Sequence, residues 1–208
     1  MARGDWLSGS RGELAADRIL DAAGQLFARQ SPASVGMNDI ARAAGCSRAT
    51  LYRYFDSREA LHAGYVHRQA RLVHAQLGAQ LAGIDDPRRR LVDGFCHTLQ
   101  LVRADPALRS WFGADAPPLG AELAGRSEVI TTLVAAFLSS LDGTSLDGAE
   151  STAERRARWL VRALTSLLSF PGTGPEDERA MVQEFLVPVL LPASAQPGPR
   201  HPGKSVPG

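Results

Sequence analysis

The chain has 208 residues, of which 44% are apolar and 22% charged, and its formal net charge is +1. This composition is ordinary for a globular protein with its own core, and the near-neutral charge gives no whole-chain sign of a nucleic-acid partner. Two cysteines, Cys46 and Cys96, are too few for a disulfide framework or a structural zinc site. Because no apolar run reaches the roughly 20 residues of a membrane span and no secretory signal opens the chain, we expect a cytoplasmic protein.

Apolar residues recur at spacings of three and four along most of the chain, and strand patterns are absent. The pattern predicts an all-α fold of about nine helices. Serine or aspartate N-caps at Ser47, Ser57 and Asp86 mark three of the helix starts. Helices are predicted over 13–30, 37–44, 48–55, 58–82, 87–104, 119–141, 151–170 and 176–190, with a short helix and a loop in 105–118.

The stretch "GCSRATLYRYF", residues 45–55, combines an apolar side with an unusual polar side. Leu51 and Phe55 fall together on a helical wheel, whereas the arginines fall on the other side with a small residue and a tyrosine. Arginine forks fit guanine edges and phosphate oxygens, and hydroxyl groups suit phosphates. Two short helices joined through Gly45 form a helix–turn–helix pattern, although a solvated amphipathic helix would give a similar pattern.

Two longer stretches, "RILDAAGQLFARQ" (18–30) and "NDIARAAGCSRATLYRYFDSREALHAGY" (38–65), resemble the N-terminal domain of TetR/AcrR family transcriptional regulators. The resemblance covers about residues 13–73 and departs from the family mainly in the longer turn "QSPASVGM". It implies a flexible arm (1–12), a DNA-binding domain (13–73) with its helix–turn–helix at about 36–55, and an effector-binding and dimerisation domain (74–191). A disordered Pro/Gly-rich tail is expected at 192–208.

The family also implies a function: a sequence-specific transcriptional regulator, most simply a repressor that binds a palindromic double-stranded DNA operator as a homodimer and is released by a small ligand. Arg58 would join the DNA contacts, because it opens the fourth helix, whose positive dipole end favours a phosphate. The predicted DNA-binding residues are Ser47, Arg48, Ala49, Thr50, Tyr52, Arg53, Tyr54 and Arg58.

The C-terminal half offers candidates for a ligand cavity and for a dimer interface. The alternative for each of these residues is that it packs in the ordinary hydrophobic core of its own chain. The predicted cavity residues, which favour a hydrophobic effector, are Phe95, Leu99, Val102, Trp111, Phe112, Phe137 and Trp159, with Cys96, His97 and Arg103 as polar contacts. The predicted interface residues are Leu160, Leu164, Leu167, Leu168, Met181, Val182, Phe185 and Leu186.

The sequence contains no complete set of catalytic or metal-ligating residues of a recognisable kind. Glu59 and His62 form one E-x-x-H pair, but a di-metal bundle needs a second copy. We therefore expect no catalysis, no cofactor and no metal. The alternative to a DNA-binding regulator is a helical protein-interaction adaptor without DNA binding.

Overall fold

The computed structural model describes residues 5–113, 118–142 and 150–191, and all regular structure within these ranges is helical. The all-α prediction is confirmed. The tail predicted at 192–208 lies outside the described residues. The helices are α1 (Asp5–Phe27), α2 (Met37–Ala44), α3 (Arg48–Tyr54), α4 (Arg58–Gln80), α5 (Pro87–Ala104), α6 (Pro106–Arg109), α7 (Leu119–Arg126), α8 (Glu128–Asp142), α9 (Glu150–Ser169), α10 (Pro175–Met181) and α11 (Val187–Leu190), with a π-helical segment (Val182–Leu186) between the last two.

Three helix starts follow from the caps predicted in the sequence. Ser47 Oγ accepts a hydrogen bond from the amide of Thr50 at 3.0 Å, and Ser57 Oγ accepts one from the amide of Ala60 at 3.0 Å. The carboxylate of Asp86 accepts from two amides in the first turn of α5. These bonds satisfy amide groups that have no partner inside their own helix.

Two predicted helices differ in the structure. The helix predicted from residue 13 begins at Asp5, so most of the expected arm at 1–12 is helical. The helix predicted over 119–141 is divided at Ser127, whose backbone is extended and whose Oγ accepts from the amide of Ile130 at 3.1 Å. A serine hydroxyl competes with helical backbone bonding, and here it caps α8 instead of continuing α7.

The last helix is widened near its end. Residues 182–186 take π-helical geometry immediately before Val187 and Pro188. Pro188 has no amide hydrogen, and its ring would clash with the carbonyl four residues earlier in a regular α-helix. A π turn is one way in which a helix accommodates such a residue.

The buried apolar residues form two clusters, an N-terminal cluster and a C-terminal cluster, and the second includes Leu91, Phe95, Leu99, Val182 and Leu190. The N-terminal cluster contains Ile19, Phe27, Ile40, Leu51, Leu61 and Tyr65, as expected for a three-helix core, but it also contains Ala107 and Trp111. Helix α4 runs through the domain boundary predicted at residue 73. The helix–turn–helix core therefore includes side chains contributed from well beyond that boundary.

Candidate nucleic-acid interface

The reversal between α2 and α3 depends on Gly45. Its φ of +67° lies in the left-handed region, and the following amide of Cys46 donates to the carbonyl of Ala41 at 3.0 Å. A Cβ built on Gly45 would meet no atom within 4 Å, so the backbone conformation, and not lack of space, favours glycine here. This turn fixes the direction in which α3 leaves α2.

The inner side of α3 is anchored in the N-terminal cluster. Leu51 is fully buried, and Phe55 packs against the cluster from the end of the helix. A Cβ on Gly64 of α4 would lie 2.9 Å from Phe55 Cε1, so the missing side chain at Gly64 lets Phe55 approach α4 closely. This contact could not be predicted from sequence periodicity, because a glycine inside a helix does not by itself indicate that another side chain packs against it.

The outer side of α3 carries Arg48, Ala49 and Arg53, all exposed. The guanidinium of Arg48 lies 5.3 Å from the ring centre of Tyr52, and that of Arg53 lies 5.4 Å from the ring centre of Tyr54. No ion pair joins either arginine to a carboxylate among the described residues. Two positive groups are therefore held against aromatic faces on an exposed helix side, with no described counter-charge.

The hydroxyl groups near α3 are less free than the sequence suggested. Ser47 Oγ and Thr50 Oγ1 lie 2.9 Å apart and share a hydrogen bond, while Ser47 also caps the helix. Tyr52 and Tyr54 are half-buried, because their rings pack against the N-terminal cluster. A phosphate would have to share the Ser47 and Thr50 hydroxyls with their existing partners.

Arg58 has a partner that the sequence did not indicate. Its Nη1 donates to the carbonyl oxygen of Ala33 at 3.1 Å, and its Nε lies 4.0 Å from a carboxylate oxygen of Glu59. The side chain remains partly exposed. Arg58 thus connects the start of α4 to the loop between α1 and α2.

A second feature is a partly open apolar cavity of about 170 Å³ lined by α4, α5, α6, α7, α8, α9 and the segment after α6. Of the described residues around it, none is Asp, Glu, Lys or Arg. The predicted residues that line it are Phe95, Val102, Trp111, Phe112 and Phe137. None of the predicted cavity residues lies on α4, whose wall residues are Val66, Gln69, Ala70, Val73, His74 and Leu77.

The other predicted cavity residues lie elsewhere. Leu99 is buried in the C-terminal cluster, and Trp159 is 51% exposed. Arg103 forms a two-bond ion pair with Glu178 and does not line the cavity. Cys96 and His97 are half-buried outside the cavity wall. Burial raises the pKa of the Cys96 thiol, which favours its neutral form.

The predicted interface residues mostly face the interior of their own chain. Leu160, Leu164 and Leu168 line the cavity. Val182 and Leu186 are buried in the C-terminal cluster, with Leu167 packed against it and Met181 half-buried. Of the predicted interface residues, only Phe185 is exposed. The apolar pattern of a helix does not show whether the residues that cover it belong to the same chain or to another. The exposed large apolar side chains of this region are Trp159, Phe170, Phe185 and Val189, which we call the α9–α11 apolar surface.

The histidines of α4 serve packing and hydrogen bonding. His62 is 4% exposed, and its burial lowers its pKa to about 4, so the ring is neutral near pH 7. His67 Nε2 lies 2.9 Å from Ser127 Oγ. In the part of the chain that the structure describes, no group of three His, Cys, Asp or Glu side chains could hold a metal ion, and no helix has the length and apolar character to cross a membrane.

Comparison with known proteins agrees with this geometry. Residues 19–63 match the family model for bacterial regulatory proteins of the tetR family. An uncharacterised HTH-type transcriptional regulator of Mycobacterium tuberculosis is 57% identical over 204 residues, covering 98% of this chain and 99% of that protein. The HTH-type regulator AlkX of the same species is 30% identical over 178 residues, covering 83% of each chain.

Solved structures show the same architecture. The TetR family repressor AlkX from a Dietzia species, implicated in biodegradation of n-alkanes, has a TM-score of 0.58 at 25% identity, covering 83% of this chain and 93% of that chain. A TetR regulator from a Rhodococcus species has a TM-score of 0.65 at 19% identity, covering 86% of this chain and 97% of that chain, which shows a common fold. Together with the helix–turn–helix and its arginine-bearing outer side, these relationships show that the chain belongs to the TetR family of DNA-binding transcriptional regulators.

Proposed function

We propose that the protein is a repressor that binds a palindromic DNA operator as a homodimer and is released by a small apolar effector. The observation that carries the DNA-binding part is the outer side of α3, where Arg48 and Arg53 are exposed without a described counter-charge above the buried anchor Leu51. A rigid helix with this surface suits entry into the major groove.

The contacts divide by chemistry. Arg48 and Arg53 would read base edges or hold phosphates, and Ala49 would allow the helix to approach the groove closely. Tyr52 and Tyr54 would contact the sugar–phosphate backbone through their hydroxyl groups. Ser47, Thr50 and Arg58 would support the backbone contacts at the two ends of α3, next to their existing hydrogen bonds.

Dimerisation would use the α9–α11 apolar surface. One seven-residue recognition helix contacts few bases, so two copies on adjacent half-sites are needed for useful affinity. Trp159 on α9 and Phe185 and Val189 on the last helix leave large apolar area in water on a single chain. A second copy of the chain, related by a two-fold axis, would cover them.

The effector would occupy the cavity. Because no described residue around it is charged, the ligand would be neutral and mainly hydrocarbon. Gln69, His74, Thr98 and Thr165 are its polar wall residues, and both threonine hydroxyls already donate to helix carbonyls. The link of the Dietzia relative to n-alkane degradation agrees with an apolar ligand.

Release would follow from the position of α4. This helix begins beside α3 and forms one wall of the cavity. Filling the cavity would tilt α4 and change the separation of the two recognition helices, which must match half-sites about 34–36 Å apart. The effector must therefore bind the two arrangements with different affinity. The protein would act in the bacterial cytoplasm and carry out no catalysis.

Selection of bound fragments from genomic DNA tests the proposal. We expect a symmetric site, and we expect its affinity to fall steeply between 50 and 200 mM salt, because phosphate contacts release counterions. A folded dimer that enriches no fragment at 50 mM salt would instead support the adaptor function.

A further inference from the structure

Four rings meet where the DNA-binding core touches the cavity, and we call them the aromatic junction: Phe27 of α1, His62 and Tyr65 of α4, and Trp111. The ring centre of Trp111 lies 5.2 Å from that of Phe27 and 5.1 Å from that of His62, both in edge-to-face geometry. It lies 5.9 Å from that of Tyr65, with the rings nearly parallel. The Trp111 indole therefore contacts both α1 and α4, the helices that come before and after α2 and α3 in the chain.

The same indole belongs to the cavity wall. Trp111 is 2% exposed and lines the cavity together with Phe112. Its backbone is held from the other side by α7, where the amide of Gly120 donates to the Trp111 carbonyl at 3.2 Å. A Cβ on Gly120 would lie only 2.7 Å from that oxygen, so α7 sits directly against the Trp111 backbone.

We infer that Trp111 is the positioning residue through which occupancy of the cavity changes the packing of the helix–turn–helix core. This inference rests on the proposed function. A group that enters the cavity meets the Trp111 indole in its wall, and in an interior packed as closely as an organic crystal a displaced ring moves its neighbours. With its backbone held by α7, the Trp111 indole moves against Phe27 and His62, and α1 and α4 move with it.

Two buried nitrogen atoms favour a second arrangement of the junction. Nε1 of Trp111 and Nε2 of His62 have no hydrogen-bond partner among the described residues. Unpaired buried polar atoms are costly, so a shift of the indole that gives either atom a partner recovers part of that cost. An arrangement that pairs either nitrogen would therefore gain stability relative to one that leaves both unpaired.

A double-mutant cycle that needs no identified ligand tests the inference. Ala124 lines the cavity from α7, and Ala124→Leu would fill part of the space. We expect Ala124→Leu to weaken binding to a selected genomic fragment by about fivefold or more, as is common for coupled sites. In a Trp111→Phe background, which keeps an apolar ring but removes the indole, the effect should fall below about twofold. Trp111→Tyr provides a second background should Trp111→Phe fold poorly.

Phe137 gives a matched control. It lines the cavity and packs on the C-terminal cluster, but it belongs to neither the aromatic junction nor the N-terminal cluster. In a Phe137→Leu background the full effect of Ala124→Leu should remain. Equal effects of Ala124→Leu in the Trp111 variants and in the natural protein would overturn the inference, as would no effect of Ala124→Leu in the natural protein.

A measurement without DNA separates this inference from the proposed function. In protein labelled with 5-fluorotryptophan, the resonance lost in Trp111→Phe identifies Trp111. That resonance should shift in Ala124→Leu, and an unchanged resonance would overturn the inference. A shifted resonance in a protein that binds no DNA fragment would instead refute the proposed function and leave the packing response of Trp111 in place.

Discussion

Arg103 of α5 and Glu178 of α10 form a two-bond ion pair, with both guanidinium-to-carboxylate distances at 2.7 Å. Arg103 Nη2 also donates to the carbonyl of Leu167 at 2.8 Å, and Glu178 accepts from the amide of Gly172 at 3.0 Å. The pair therefore joins α5, the end of α9 and the start of α10. Glu178 is 3% exposed, so its charge depends on these partners.

Loss of Arg103 should destabilise the protein strongly. Arg103→Ala would leave the Glu178 carboxylate buried and unpaired, at a cost of about 3 kcal/mol in the free energy of unfolding. Arg89→Ala is the matched control, because Arg89 is exposed and its partner on the same helix, Asp93, keeps a second ion pair with Arg179, so the loss should be less than about 1 kcal/mol. Urea denaturation of both variants checks this, and equal losses would contradict it.

His62 should make the protein less stable in mild acid. Burial holds its folded-state pKa at about 4, below the ordinary value of 6.5, so between these values the unfolded chain binds a proton that the folded chain excludes. The stability contributed is intact above pH 6.5 and falls as pH drops toward 4, by up to about 3 kcal/mol. His62→Leu should remove most of this slope. Thermal melting of both proteins between pH 7 and 4.5 measures it, and parallel curves would show that His62 is not responsible.

The helix–turn–helix could be predicted from sequence because its determinants are local. A left-handed glycine at Gly45, a cap at Ser47 and a buried Leu51 lie within seven residues, and each has a recognisable residue type. The family resemblance rests on local features of this kind in fixed order over about residues 13–73.

Long-range partners could not be predicted in this way. Arg103 looked like a polar group for a ligand, yet its carboxylate partner is 75 residues away. Leu160 and Leu164 were predicted to lie in a dimer interface, and in the structure they line the cavity. An apolar stripe wider than half a helix does not show which part of it packs against its own chain. Trp111 was predicted to line the cavity, but its contact with the DNA-binding core could be seen only in the three-dimensional structure.

Gly45→Ala should destabilise the DNA-binding core through the backbone alone. At φ +67° a side chain costs about 1–2 kcal/mol, although space for a methyl group is open. Gly78→Ala is the control: Gly78 lies inside α4, also with nothing within 4 Å of its added Cβ, and alanine there should stabilise by about 0.4–1 kcal/mol. Opposite signs in chemical denaturation are expected, and equal signs would mean that Gly45 does not need its left-handed conformation.

A charge placed on the α9–α11 apolar surface should prevent dimerisation. Phe185 is 62% exposed on one chain, so Phe185→Asp should leave the fold intact while burying an unpaired carboxylate in any interface formed there. Leu72→Asp is the control, because Leu72 is similarly exposed but lies on α4. Sedimentation equilibrium should give a monomer only for Phe185→Asp. A dimer of undiminished affinity would exclude Phe185 from the interface.

The two arginines of α3 should differ from other exposed arginines in their effect on DNA binding. Arg48→Ala or Arg53→Ala should weaken binding to a selected fragment by about 1–3 kcal/mol if the side chain reads a base, and should relax preference at that base pair. Arg88→Ala, an exposed arginine at the start of α5, should change the affinity little. Tyr52→Phe removes one hydroxyl and should weaken all sequences about equally, since phosphate contacts carry no sequence information. Titrations with the selected fragment and with single-base variants measure these effects. If both arginine variants bind like the natural protein, another side of α3 must face the DNA.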